Sequence, residues 1–361
     1  MSSSLLGRIA RIAALALWTA LVAEVFVRLV APQALMPRYV TGTPSGIRGN
    51  IPNATYAHVT PEVDVTYRIN AQGMRDDRDY PLAKPPRTCR IALFGDSYTI
   101  GYELPLAATY AKRLEALLSR PDRPVEVLNF GVSGFGTAEN LRAYESIGRR
   151  FHPDLVLMQW QVTDYDDNSR AGLYRLDGDH LVPGRAAYLP GVAVQDRLMR
   201  WRLYRLLADH SQFYNFAREQ IGWRGKQLLA LFSKRQAADA KDGGEVENGD
   251  YAISPAQIRL SAALLLHARD VVHSDGANFA TFDIPNRNLT SSYTLLPASV
   301  QQQLPPISPL AGFRTAAAGG QHLFYSTGAR HFTPAGAELM ARAMAKRIEQ
   351  DRLLASCSAA S

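Results

Sequence analysis

Ile91-Ala-Leu-Phe94 is a run of four apolar residues closed at once by Gly95, with Asp96 and Ser97 next in line. An apolar run without polar alternation suits a strand covered on both faces, as in a parallel sheet flanked by helices. The glycine ends the strand and leaves Ser97 at its C-terminal edge, where open α/β sheets carry their sites. Taken alone, Gly-Asp-Ser also describes an ordinary surface turn. The later segments decide between the two.

Downstream, strand and helix patterns alternate. Arg90–Phe94, Val125–Asn129 and Asp154–Trp160 read as strands, with Leu106–Leu118 and Thr137–Arg149 as helices between them. Such alternation implies a parallel sheet with right-handed crossovers. Pro255–His273 reads as a helix and Asn278–Ile284 as a strand. Thr333-Pro334, an N-cap followed by proline at N1, opens a final helix toward Leu353. Pro297–Gln321, with Pro-Pro and Gly-Gly, reads as a long loop, and Ala237–Asp250 as a polar one. Val194–Leu231 has helical stretches rich in Arg, Tyr and Leu, which suit an inserted cap or a face against a membrane. Pro32–Pro86 reads as a linker and small β extension in which Val63–Ile69 alternates as a half-buried strand.

Ile9–Ala31 departs from this globular pattern. It is long enough to span a bilayer, which needs about 20 residues, but it carries Glu24 and Arg28 at i,i+4 spacing, where they can neutralise each other. The uncharged core Ile12–Ala23 also suits a signal peptide, although no small-x-small cleavage site follows it. We therefore expect an uncleaved anchor. Arg8 and Arg11 precede the apolar run, so the N-terminus should lie inside and the body outside the inner membrane, in a periplasmic compartment. The net charge of +7 is dispersed without a Lys/Arg run, which argues against nucleic-acid binding. Cys89 and Cys357, the two cysteines, either pair in an oxidising compartment or remain separate thiols. The expected organisation is an anchor over 1–31, a linker and β extension over 32–88, a main domain over 89–356 with an insertion at 165–250, and a tail over 357–361.

Two further segments bear on chemistry. Asn129-Phe-Gly-Val-Ser-Gly-Phe-Gly136 is a glycine-rich strand-to-helix turn, but its Gly-x-x-Gly-x-Gly spacing reverses the dinucleotide fingerprint. Free backbone N–H groups at such a turn can instead stabilise an oxyanion. Ala329-Arg-His-Phe-Thr-Pro-Ala-Gly336 puts His331 just ahead of the final helix. Serine turn, glycine turn and histidine come in an order that fits nucleophile, oxyanion donor and base.

On these blocks the chain resembles the SGNH (GDSL-type) hydrolases from about Arg87 to Arg352. Asn70-Ala-Gln-Gly-Met-Arg-Asp76 and the Glu24/Arg28 anchor are similar to those of a membrane-anchored bacterial subgroup. The resemblance implies a flavodoxin-like three-layer α/β/α fold. It implies Ser97 as nucleophile, His331 as base, and the N–H groups of Ser97 and Gly134 as oxyanion donors. An acyl ester would be the substrate, with no metal or organic cofactor. Two positions depart from the family pattern. Thr163 of Gln161-Val-Thr-Asp164 stands where the family has an oxyanion asparagine, so its shorter hydroxyl would be the third oxyanion donor. Gly328 and Ala329 stand where it has the aspartate that orients the histidine, leaving Asp164, Asp166, Asp167 and Asp283 as candidates for that role. The expected function is a serine esterase; the alternative is an acyltransferase-like or weakly active scaffold protein of a cell-envelope polysaccharide system.

Overall fold

The computed structural model describes residues 2–31, 39–60, 62–218, 220–221, 246–248, 251–326 and 330–358. The expectations for Gly328 and Ala329, and for most of Ala237–Asp250, lie outside the described residues. By contact density the chain divides into two units. One comprises Met1–Arg38, Ala57–Asp64 and Val194–Asp242, and the other holds the remainder.

The larger unit is built on four parallel strands. In chain order they are β5 (Cys89–Phe94), β6 (Val125–Asn129), β7 (Leu155–Trp160) and β12 (Asn278–Asp283), arranged β12-β7-β5-β6. Ahead of them lie the short strands β1 (Val40–Gly42), β2 (Arg48–Asn50), β3 (Thr55–Val59) and β4 (Asp64–Arg68). In β4, Val65 and Tyr67 are buried and alternate with exposed residues, matching the expected half-buried strand.

Every residue of β5 is buried. Ala92 and Phe94 pack into one apolar cluster with Leu141, Tyr144, Leu264 and Leu265, while Ile91 and Leu93 pack into another with Leu114, Leu118, Met340 and Met344. Successive side chains of a strand point to opposite faces, so the two clusters are the two sides of one sheet. Helices cover both sides, and the architecture is the three-layer α/β/α expected. On the first side stand α3 (Thr137–Ser146), α4 (Asp164–Ala171) and α7 (Pro255–Ser274); on the second stand α2 (Tyr110–Leu118) and α10 (Pro334–Gln350). Tyr165, Ala171, Leu173 and Tyr174 belong to the first cluster, and Tyr174 opens β8 (Tyr174–Asp177), which pairs antiparallel with β9 (His180–Pro183).

Element ends follow capping chemistry. Thr333 accepts a hydrogen bond from the Gly336 N–H, and Ser254 with Gln257 forms a capping box. Leu106–Leu118 is not one helix: Leu106–Ala108 is a 3₁₀ turn, and Thr109 caps α2 afresh by accepting from the Lys112 N–H. Pro297–Gln321 is not a loop either. It contains α8 (Ala298–Gln303) and α9 (Leu310–Ala318), each preceded by a proline that initiates the helix and anchored by buried Val300 and Phe313. Pro297 and Pro309 stand at helix starts, where a missing N–H costs nothing. Part of the expected polar loop is also ordered, since β10 (Val246–Asn248) pairs antiparallel with β11 (Tyr251–Ile253).

Cys89, the first residue of β5, and Cys357, in the short α11 (Ala355–Ser358), form a disulfide with Cα atoms 5.5 Å apart. The bridge closes a loop over 268 positions and so restricts the unfolded chain strongly. Cys357→Ser should lower stability by about 2–4 kcal/mol, measured as a shift in the chemical denaturation midpoint at unchanged slope.

In the smaller unit, α1 (Ser2–Val30) has an apolar span, Gly7–Val30, of mean hydropathy 1.9, long and apolar enough to cross a membrane. The same unit holds α6 (Arg202–His210), preceded in the chain by α5 (Val192–Leu198).

Candidate active site

Three of the sequence-derived site residues follow directly from strand order. Ser97 lies just after β5, Gly134 just after β6 and Thr163 just after β7, at the same end of adjacent parallel strands. The chain after Phe94 turns sharply, with the Ile100 N–H donating to the Asp96 carbonyl and the Tyr102 N–H to the Ser97 carbonyl. An added Cβ at Gly95 would collide with the side chains of Thr99 and Gln159, so only glycine lets the turn seat against β7.

The fourth residue arrives from 234 positions away. His331 Nε2 stands 2.7 Å from Ser97 Oγ. The imidazole lies between two tyrosine rings, with centroids 4.6 Å away for Tyr98 and 5.0 Å for Tyr102. A Ser97 hydroxyl that donates to Nε2 requires the ring proton on Nδ1.

Nδ1 faces Glu103, a residue that sequence reasoning missed. Its Oε2 is 3.5 Å from Nδ1, at ion-pair distance, and accepts a hydrogen bond from the His331 backbone N–H at 3.1 Å. Asp164, Asp166, Asp167 and Asp283 do not take this place; among the described residues the carboxylate in ion-pair range of the ring is Glu103. Glu103 is 1 % exposed and has φ +67°, in the left-handed region where a non-glycine residue is strained.

The strain is held by a buried arginine. Arg75, from the Asn70–Asp76 motif, is 1 % exposed and donates to the carbonyls of Ile100, Gly101 and Leu104, on either side of Glu103. Its guanidinium lies 3.8 Å from the centre of the Tyr67 ring, and the Tyr67 hydroxyl accepts from the Glu103 N–H at 2.8 Å. Burial pulls the Arg75 pKa down to about 10, which leaves it charged at neutral pH. The motif is itself tied together, because Asn70 Oδ1 accepts from the N–H groups of Gln72 and Met74.

Gly134 has φ +74°, a backbone conformation suited to glycine, and its carbonyl accepts from Arg48 Nη2 at 2.7 Å. Arg48 also reaches Glu139 Oε1 at 3.4 Å; burial pushes the Glu139 carboxyl up to about 7, partly offset by Arg48. Among the described residues no backbone carbonyl accepts a hydrogen bond from the N–H of Ser97 or Gly134.

Thr163 is less free. Its Oγ1 accepts from Gln161 Nε2 at 2.7 Å, and the same Nε2 donates to Asp96 Oδ2. Burial pushes Asp96 up to about 6 and Asp164 well above the usual carboxylate range. Asp164 in turn accepts from the Gln161 N–H at 2.7 Å and from Thr137 Oγ1 at 3.0 Å, which fixes the turn after β7. Asp164 is a structural partner of the turn, whereas Asp96 also feels the charge of His331, which pulls its carboxyl down against the effect of burial. Among the described residues no group of three His, Cys, Asp or Glu could hold a metal ion.

No family model and no curated protein sequence matches the chain. Solved structures similar to it include a two-domain esterase active on acetylated mannans, at 13% identity and TM-score 0.39, covering 75% of this chain and 50% of that one. The chain thus spans about half the length of that esterase. It is also similar to a catalytic mutant of the acetylxylan esterase Axe2 from Geobacillus stearothermophilus, at 13% identity and TM-score 0.39, covering 74% and 96% of the two chains. A third is a lipase/acylhydrolase from Enterococcus faecalis, at 15% identity and TM-score 0.35, covering 73% and 96%.

Proposed function

We propose that this chain is a serine ester hydrolase of SGNH type, anchored by α1 and acting outside the cytoplasm. The observation that carries the reading is the 2.7 Å approach of Ser97 Oγ to His331 Nε2. Ser97 attacks the ester carbonyl as His331 takes its proton. The N–H groups of Ser97 and Gly134 receive the oxyanion, and the imidazolium then protonates the leaving alcohol. Water, activated by His331 in the reverse sense, releases the acid from the acyl-enzyme. Glu103 holds the imidazole with its Nδ1 proton inward and stabilises the positive charge that develops on it. Export is supported by the Cys89–Cys357 bridge, since such bonds persist in oxidising compartments.

The scaffold or acyltransferase alternative drew its support from the missing aspartate. Glu103, 3.5 Å from Nδ1, weakens that support. The test is a fluorophosphonate probe applied to the purified full chain in detergent. We expect stoichiometric labelling that maps to the peptide containing Ser97. A protein that stays unlabelled while Ser97 remains accessible to solvent would refute an activated nucleophile.

A further inference from the structure

Glu24 and Arg28 sit within the apolar span yet do more than neutralise each other. Arg28 Nε donates to Glu24 Oε1 at 2.7 Å, and Arg28 Nη2 donates to the His210 carbonyl at 2.7 Å. The Glu24 carboxylate also accepts from Ser211 Oγ at 2.8 Å and from the N–H groups of Gln212 and Phe213 at 2.9 Å each. The corner between α6 and the helical segment beginning at Gln212 is therefore latched to α1. Asn215 Nδ2 closes the corner from inside by donating to the Ala208 and Ser211 carbonyls.

The latch fixes a depth. Glu24 precedes the end of the span at Val30 by six residues, about 9 Å along a helix axis. A span of 24 residues is about 36 Å long against a hydrocarbon core of about 30 Å. With the span centred, Glu24 lies about 6 Å inside the outer edge of the hydrocarbon, within the depth of about 5–10 Å to which an interfacial helix sinks. At that level α6 exposes Leu203, Leu206 and Leu207, spaced i, i+3, i+4, with exposed Trp201 before it and Phe213 after it. Arg200, Arg202 and Arg205 are exposed beside this stripe. An apolar face flanked by arginines and an interfacial tryptophan is the pattern of a helix lying in a membrane surface.

We propose that α6 and the corner at Ser211 form an interfacial collar, seated in the outer leaflet of the bilayer that α1 crosses, with the arginines on anionic headgroups. The inference rests on the reading of α1 as membrane-spanning and is independent of the esterase chemistry. Its occupant is lipid because the stripe is latched to the end of the apolar span itself. The collar gives Glu24 a purpose that no ion pair alone requires: it makes the anchor part of the folded unit.

The test uses the full chain in phosphatidylethanolamine/phosphatidylglycerol vesicles containing brominated lipids. One reporter keeps Trp201 (Trp18→Phe, Trp223→Phe) and a second keeps Trp18 (Trp201→Phe, Trp223→Phe). Trp160, fully buried, is a constant background in both. We expect Trp201 emission to be lost most with bromines near the headgroup and Trp18 emission most with deeper bromines. Glu24→Gln should weaken Trp201 quenching and speed amide exchange at Gln212 and Phe213, while Trp18 quenching is retained. Quenching of Trp18 without quenching of Trp201 would overturn the collar and leave the anchor standing, as would concentration-dependent shielding of Trp201 by a second copy. Loss of both signals would overturn the spanning reading together with the collar.

Discussion

Ser97→Ala abolishes turnover of short activated acyl esters, a fall of about 10⁴–10⁶ in kcat, and with it fluorophosphonate labelling. The variant removes one oxygen from a half-buried position, so the fold should survive, and unchanged thermal unfolding will show that it has. The size of the loss follows from the mechanism: without Oγ there is no acyl-enzyme, and His331 has no proton to accept. Residues that act as a unit do not add. Removing His331 or Glu103 in the Ser97→Ala background should therefore cost little more. Full activity in Ser97→Ala would assign the chemistry to another group and restore the scaffold reading.

Glu103→Gln lowers kcat by about 10²–10⁴ with KM little changed. The carboxylate acts on the imidazolium that appears in the transition state and does not touch the ester, which is why the effect falls on kcat. Labelling by the fluorophosphonate should slow in proportion and still reach Ser97. Glu103→Asp is the informative companion. Aspartate tolerates the left-handed backbone at this position better than most residues, but its carboxylate is one methylene shorter. It should recover part of the lost rate, through a water or a longer contact to Nδ1. A merely structural role predicts the opposite pattern: parallel losses in stability and activity, with no rescue by the charged variant. Equal kcat in wild type and Glu103→Gln would remove Glu103 from the mechanism while leaving the Ser97–His331 pair in place.

How the chain was legible in its sequence differs from one site residue to the next. Ser97, Gly134 and Thr163 follow strands that betray themselves by apolar runs, and each lies within a few residues of the glycine or cap that ends its strand. Local chemistry placed the turns, while the choice of Gly134 and Thr163 within them came from the resemblance to the SGNH hydrolases. His331 was legible because it lies two residues ahead of the helix cap Thr333 and follows the serine and glycine turns in the order of nucleophile, oxyanion donor and base. Glu103 carried no such signal. Its neighbours, Tyr102-Glu-Leu-Pro105, read as a loop, and nothing local says that a glutamate there adopts φ +67° and turns inward. That orientation depends on Arg75 holding the carbonyls of Ile100, Gly101 and Leu104, a contact between segments some 25 to 29 residues apart.

The helices of 298–318 failed to announce themselves for a different reason. Their prolines and glycines have two readings, breaker or initiator, and only burial of Val300 and Phe313 selects the second. Likewise the Cys89–Cys357 pair could be named but not joined from sequence, since α10 and the chain beyond it must first pack beside β5. Strand periodicity, the serine and glycine turns that end the strands, and the apolar span of α1 are properties of neighbouring residues, and for them the amino-acid order was sufficient. The carboxylate beside His331, the partners of Glu24 and the closing disulfide are contacts between distant segments. They exist only once packing has brought those segments to within a few ångströms, which no local pattern encodes.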